Sequence, residues 1–169
     1  MADAGGLRLV APLGDRHRCE LLEHLFAVER LVVSPAEFGS GEELSDHHLQ
    51  HGYWVAAAAM VAEHDPQWAS ANEPLIDALV DDYAGTGADP AECAPSLPAL
   101  RHWNGFEGHS YASGLAPFAD GNNLESTSEA LQAWWGAARW YVATGRRDQA
   151  NRFLARYTIE SALARSAWL

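Results

Sequence analysis

The chain contains no lysine, so arginine supplies all of its basic side chains. These number 11 against 23 acidic residues, for a formal net charge of -12. A surface so poor in positive charge repels phosphate backbones and anionic headgroups, which argues against nucleic acid or a membrane surface as partner. Cysteine is scarce as well. Cys19 and Cys93 are too few for a disulfide framework and their spacing fits no zinc or redox motif, so both read as buried or incidental thiols. No apolar run approaches the length of a membrane span. The opening Met1-Ala2-Asp3-Ala4-Gly5-Gly6 lacks a basic stretch followed by an apolar core, so no signal peptide is read there: either the product stays in the cytoplasm or the export signal belonged to a longer parent chain. Strand alternation is weak apart from Leu7-Arg8-Leu9-Val10, and there is no internal repeat or low-complexity tract.

What is present is a globular composition, 48% hydrophobic and 20% charged over 169 residues, enough for one domain with a core. The apolar periodicity is helical almost throughout. Leu21, Leu22, Leu25, Val28 and Val32 mark a first helix, closed by Pro35. Ser45 is placed to cap a second helix from Asp46 to about His64, stopped by Asp65-Pro66. Its Trp54–Val61 stretch is apolar on every side, which predicts burial all round. Trp68, Ile76, Leu79 and Tyr83 mark a third helix, and Leu131, Trp134, Trp135, Ala138 and Val142 a fourth that ends at Gly145. A fifth opens near Arg146 and carries Ala150, Phe153, Leu154 and Tyr157. Gly85 to about Asn123, rich in Gly, Pro, Ser and Asp, reads as a long loop. The expected class is all-α, a single domain over residues 1–169 with about five helices.

Three constellations carry chemistry. In Ser45-Asp46-His47-His48-Leu49-Gln50-His51-Gly52-Tyr53, an aspartate and three histidines crowd the first turns of a helix. His47 and His51 share a face, as zinc ligands would, but no glutamate follows His47 to act as the base of a zinc hydrolase. Polar capping of a buried helix is the plainer alternative. In Asp120-Gly121-Asn122-Asn123-Leu124-Glu125-Ser126-Thr127-Ser128-Glu129, two carboxylates one turn apart sit where a helix amino terminus favours negative charge. Acidic helix starts are common, but the amide-rich lead-in suits sugar hydroxyls. In Phe106-Glu107-Gly108-His109-Ser110-Tyr111-Ala112-Ser113-Gly114, two glycines bracket small polar groups, as in a backbone that approaches a ligand or in a plain turn.

Taken in order, Asp-His-His, Gly-His-Ser-aromatic-Ala-Ser-Gly and Asp-Gly-Asn-Asn-x-Glu-Ser-x-Ser-Glu-Ala resemble the core of glycoside hydrolase family 81, from about Phe38 to about Gly145. The resemblance implies an inverting endo-β-1,3-glucanase in which Asp46 is the general acid, Glu125 the general base and Glu129 a further catalytic carboxylate. It implies a β-1,3-glucan partner, contacted by His47, His48, Gln50, Tyr53, His109, Ser110, Asn122 and Asn123, with no metal and no cofactor. Trp54, Trp103 and Tyr111 are candidates for stacking on sugar rings. The sequence departs from the family's usual Asp-His-His-Phe-His-Tyr-Gly-Tyr at Leu49, Gln50 and His51, and again at Asn104, Tyr111 and Leu124. It also implies a partial (α/α)6 toroid built of helical hairpins, whose open faces invite self-association or a completing chain. Three functions therefore stand side by side: a working glucanase, a non-catalytic remnant or glucan-binding module, and a metal-dependent hydrolase using His47, His48 and His51.

Overall fold

The structure is a computed structural model that describes Ser40 and residues 45–85, 101–112 and 125–168. The expected first helix over Leu21–Val32, the Leu7–Val10 strand, both cysteines and the Asp120–Leu124 lead-in lie outside the described residues. Four helices and one short ladder are described: α1 (His47–Ala62), α2 (Pro66–Ala84), β1 (Trp103–Asn104), β2 (His109–Ser110), α3 (Thr127–Ala143) and α4 (Arg147–Trp168). The all-α expectation holds, with one addition. The stretch read as a loop contains an antiparallel pairing of Trp103 with Ser110 and of Asn104 with His109.

Local chemistry sets the ends of these elements. Asp65 accepts the backbone N–H groups of Gln67 (3.1 Å) and Trp68 (2.9 Å), and Pro66 follows it at the first helical position, where its missing N–H has no partner to lose. Thus Asp65-Pro66 both ends α1 and starts α2. Ser45 does not cap α1. The N-cap position belongs to Asp46, which makes no side-chain capping bond, while the Ser45 hydroxyl donates to the Asp46 carboxylate instead. Gly145, in the left-handed region at φ 79, turns α3 into α4.

The helices form two hairpins, α1–α2 and α3–α4, joined through contacts between α1 and α3. Gly52 lies against Ala133 and Gly136 against Ala56, so contacts advance along both helices together and the two run parallel. Between the hairpins the core gathers on Trp134, which meets Trp103 edge-on and Tyr83 at a tilt, each at 5.8 Å, and stacks over Phe153 at 6.4 Å. Trp140 donates its indole N–H to Asp77 (2.9 Å), whose carboxylate also receives Arg146.

The expected all-round burial of α1 is not found. Val55, Ala58, Ala59 and Ala62 are core, but Trp54 is 69% exposed and Met60 and Val61 also face outward. On α3, Trp135 and Val142 are likewise exposed.

The α1–α3 contact allows a direct test. A Cβ added at Gly136 would lie 2.9 Å from the backbone N and Cα of Ala56. Alanine in a helix interior ordinarily adds up to about 1 kcal/mol over glycine. Gly136→Ala should instead lower stability by about 1–3 kcal/mol, because two backbones must separate. Urea unfolding of parent and variant measures this, and a variant as stable as its parent would refute close approach as the reason for glycine here.

Candidate active site

Asp46 begins the site. Its backbone is left-handed at φ 61, a conformation that a non-glycine residue holds at a cost of roughly 1–3 kcal/mol and only when its surroundings fix it. One such fixture is the bond from the Asp46 N–H to the carbonyl of Ala112, at 2.9 Å. The Ser45 hydroxyl donates to Oδ2 at 3.1 Å, while Oδ1 is buried with no hydrogen-bond partner among the described residues. Burial is the main influence raising the Asp46 carboxyl above the ordinary aspartate range; the Ser45 bond opposes it, the charge of Glu125 adds to it, His47 opposes, and Glu129 adds again. Glu125 and Glu129 are therefore within electrostatic reach of Asp46. Glu125 stands exposed just before α3, and Glu129 lies in its first turn, where it accepts the Tyr53 hydroxyl at 2.9 Å. The half-exposed Tyr53 thus ties the start of α1 to the start of α3.

Two of the three histidines turn into a buried ionic network. The paired ring nitrogens of His47 face Asp82 of α2 (Nδ1, 2.5 Å) and the carbonyl of Ser40 (Nε2, 3.0 Å). His51 Nδ1 is 3.1 Å from the same Asp82 oxygen, Oδ2. Arg101 donates to Asp82 Oδ1 and, through Nε, to its backbone carbonyl, each at 2.9 Å. Burial alone would raise the Asp82 carboxyl, but the bonds from His47 and His51 and the charges of His47 and Arg101 outweigh it and hold the group well below the usual carboxylate range. His48 faces the other way, stacked on His102 (4.7 Å) and in line with Trp134 (6.1 Å), both rings fully enclosed. Gln50 lies half-buried one turn beyond Asp46, to whose carbonyl its N–H donates.

The hairpin carries the third constellation. Asn104 Oδ1 accepts the N–H groups of Phe106 and Glu107, a local turn, and the Glu107 carboxylate meets His109 Nε2 at 3.0 Å. His109 is partly exposed, whereas Ser110 points inward and gives its hydroxyl to Glu160 at 2.7 Å. Of the stacking candidates, Trp103 is core, Tyr111 donates its hydroxyl to the Arg101 carbonyl, and Trp54 is open to solvent. Asn122 and Asn123 lie outside the described residues. Asp82, Arg101, His102 and Glu160 escaped the sequence reading. The i, i+4 spacing of His47 and His51 signalled a shared partner, but nothing local identified Asp82 as that partner.

His47, His51 and Asp82 can each bring one ligand atom within 4.8 Å of the others, a set unlike the three-histidine alternative because His48 turns away. The Arg101 guanidinium already lies 2.9 Å from both His47 Nδ1 and Asp82 Oδ1. A divalent ion about 4 Å from that guanidinium would be repelled by about 8 kcal/mol at an effective dielectric of 20. The cluster is a hydrogen-bonded ion network in which Arg101 supplies the cation.

Comparison with known proteins identifies the family. The model of the glycosyl hydrolase family 81 C-terminal domain matches residues 28–167. The chain belongs to glycosyl hydrolase family 81. It is 41% identical over 140 residues to a glucan endo-1,3-beta-D-glucosidase of Acetivibrio thermocellus, covering 82% of this chain and 18% of that protein. To a protein of the same name from Thermobifida fusca it is 33% identical over 142 residues, 83% of this chain and 18% of the other. Among solved structures, a glycoside hydrolase family 81 protein from Clostridium thermocellum superposes with a TM-score of 0.69 at 42% identity, over 76% of this chain and 18% of that one. The paired helical hairpins are consistent with a helical (α/α) toroid type of fold. The chain spans less than a fifth of the length of these relatives.

The buried rings generate a pH prediction. Burial is the main influence pushing His102 down to about 3, with the charges of Arg101 and His47 adding and Asp82 opposing. His48 is also held well below the ordinary histidine value, by burial first. Both groups bind protons more readily in the unfolded chain, so their contribution is complete above about 6.5 and is lost as pH falls. Stability should decline by about 1.4 kcal/mol per pH unit for each histidine below that value. The depressed Asp82 has the same sign and extends the loss below about 4. Urea midpoints from pH 7.5 to 3.5 measure the slope, and a flat profile down to pH 4.5 would contradict it.

Proposed function

We propose that the chain hydrolyses β-1,3-glucosidic bonds of laminarin-type glucan with inversion, Asp46 acting as general acid and Glu125 as general base. The observation that carries this reading is the raised Asp46 carboxyl, at the start of one helix, within reach of the two carboxylates at the start of its parallel neighbour. The names of the relatives support the substrate class and the bond. Inversion needs two carboxyl groups roughly 6.5–9.5 Å apart, so that a water fits between one of them and the sugar. Protonated Asp46 gives its proton to the glycosidic oxygen as the bond to the anomeric carbon breaks. Glu125 takes a proton from the water that attacks that carbon from the opposite face. Glu129, oriented by the Tyr53 hydroxyl, keeps negative charge beside Asp46 and so favours its protonated form.

In this reading Gln50, Tyr53 and His109 contact the sugar, joined by Asn122 and Asn123. His47, His48 and Ser110 act from behind, since their polar atoms face the interior. The chemistry uses carboxyl groups alone and calls for no metal or organic cofactor. A second reading, a glucan-binding module without turnover, draws on Gln50 and Leu124, two of the positions where the sequence departs from the family's usual pattern.

Reducing-sugar release from laminarin by the purified chain separates the two readings. Asp46→Asn and Glu125→Gln should each lower kcat at least about a hundredfold while leaving the helical circular dichroism unchanged. Azide should partly restore Glu125→Gln and yield an α-configured product, while leaving Asp46→Asn inactive. Activity of the parent should fall as pH rises through the elevated pKa of Asp46. A fully active Glu125→Gln would transfer the base role to Glu129, and binding of laminarin without cleavage by the parent would establish the module reading.

A further inference from the structure

Glu160 belongs to α4 and is buried at 1% exposure. A buried carboxylate requires donors, and this one has three. The Ser110 N–H (3.1 Å) and the Ser110 hydroxyl (2.7 Å) both reach Oε1, and the indole N–H of Trp134 reaches Oε2 at 2.6 Å. Two of the three bonds thus pin one residue of β2. The hairpin leans on the same helix at its tip, where Gly108 lies against Ile159 and Leu163.

From Ser110 the backbone runs through Tyr111 to Ala112 with little slack. Tyr111 donates its N–H to the His102 carbonyl (3.1 Å) and its hydroxyl to the Arg101 carbonyl (2.7 Å). The next carbonyl, of Ala112, receives the N–H of Asp46. A displacement of Ser110 is therefore passed to the hydrogen bond that holds Asp46 in its left-handed conformation.

We propose that Glu160 is a positioning residue for Asp46: by fixing Ser110 it sets the segment that follows β2, whose Ala112 carbonyl orients the carboxyl that donates the proton. This inference rests on the reading of Asp46 as the acid. Three donors call for an acceptor at both carboxylate oxygens. A glutamine in this place turns an N–H toward either Trp134 or the Ser110 backbone, so the amide cannot keep all three bonds. A role confined to stability is the alternative, and it predicts no effect on Asp46 itself.

The test is made on the full chain with carboxyl-labelled aspartate, following the titration of Asp46 by 13C NMR together with kcat and KM on laminarin. Ser45, His47, Glu125 and Glu129, the groups acting on Asp46, are untouched by the substitutions. In Glu160→Gln the strand loosens and Asp46 gains water, so its titration should move about half a unit or more toward the ordinary aspartate value. kcat should fall about tenfold or more, with KM within about twofold. Ser110→Ala removes one donor without changing any charge and should shift Asp46 the same way by less, which separates lost position from the lost charge of Glu160. It also serves if Glu160→Gln fails to fold. An Asp46 titration and a kcat unchanged in the folded variants, with only the melting temperature lowered, would overturn the proposal. If the parent cleaves no glucan yet the Asp46 titration shifts in both variants, the positioning stands and the glucanase reading falls.

Discussion

Two helices come this close only where side chains are small, and the pairs Gly52 with Ala133 and Gly136 with Ala56 meet that condition at successive turns of α1 and α3. Because the contacts advance together, the helices are parallel and their amino termini lie at one end of the molecule. The arrangement of the site depends on that constraint. It brings Asp46, Glu125 and Glu129 into mutual electrostatic reach although they are remote in sequence. It also aims the positive ends of two helix dipoles at the same place. The Asp46 carboxyl is raised there, since burial and two neighbouring negative charges outweigh the Ser45 bond and His47.

Behind that end, a part-buried carboxylate and a fully buried one each hold one part of the hairpin segment. Asp82 takes Arg101 at the start of the segment, along with His47 and His51, and Glu160 takes Ser110 near its end. Each is matched by several donors, which is the condition under which buried charge is tolerated. Neither adds much stability relative to a well-packed apolar alternative, but loss of any donor would leave a carboxylate oxygen short of a partner, which works against displacing the segment. The left-handed Asp46 is then held from both sides, by its own helix and by the segment after β2 whose Ala112 carbonyl accepts its N–H.

The helices were legible because their apolar period and their stop signals agree, as at Asp65-Pro66 and Gly145. The open face of α1 was not. Periodicity reports which residues are apolar, and Trp54, Met60 and Val61 look the same in sequence whether or not a neighbour covers them. The two-residue ladder was too short to leave an alternating pattern. Asp82 and Glu160 were invisible for a related reason: an acidic residue on a helix reads as solvated, and its donors arrive from other elements. Asp46, Glu125 and Glu129 were singled out through the family resemblance and their helix-start positions, and the structure brings both glutamates within electrostatic reach of Asp46.

The departures at positions 50 and 51 divide along the same line. His51, where the family usually has tyrosine, turns into the Asp82 network, so that exchange is absorbed by buried hydrogen bonding. Gln50 remains on the side of α1 that follows Asp46 by one turn. A histidine there could become positively charged, and a positive charge one turn away would lower the pKa of Asp46. A glutamine cannot. With a neutral amide at this position, protonation of Asp46 is governed by burial, by the Ser45 bond, by His47 and by the two glutamates of the neighbouring helix. The exchange removes a titrating group beside the proposed acid and leaves its proton to be held by the close approach of α1 and α3.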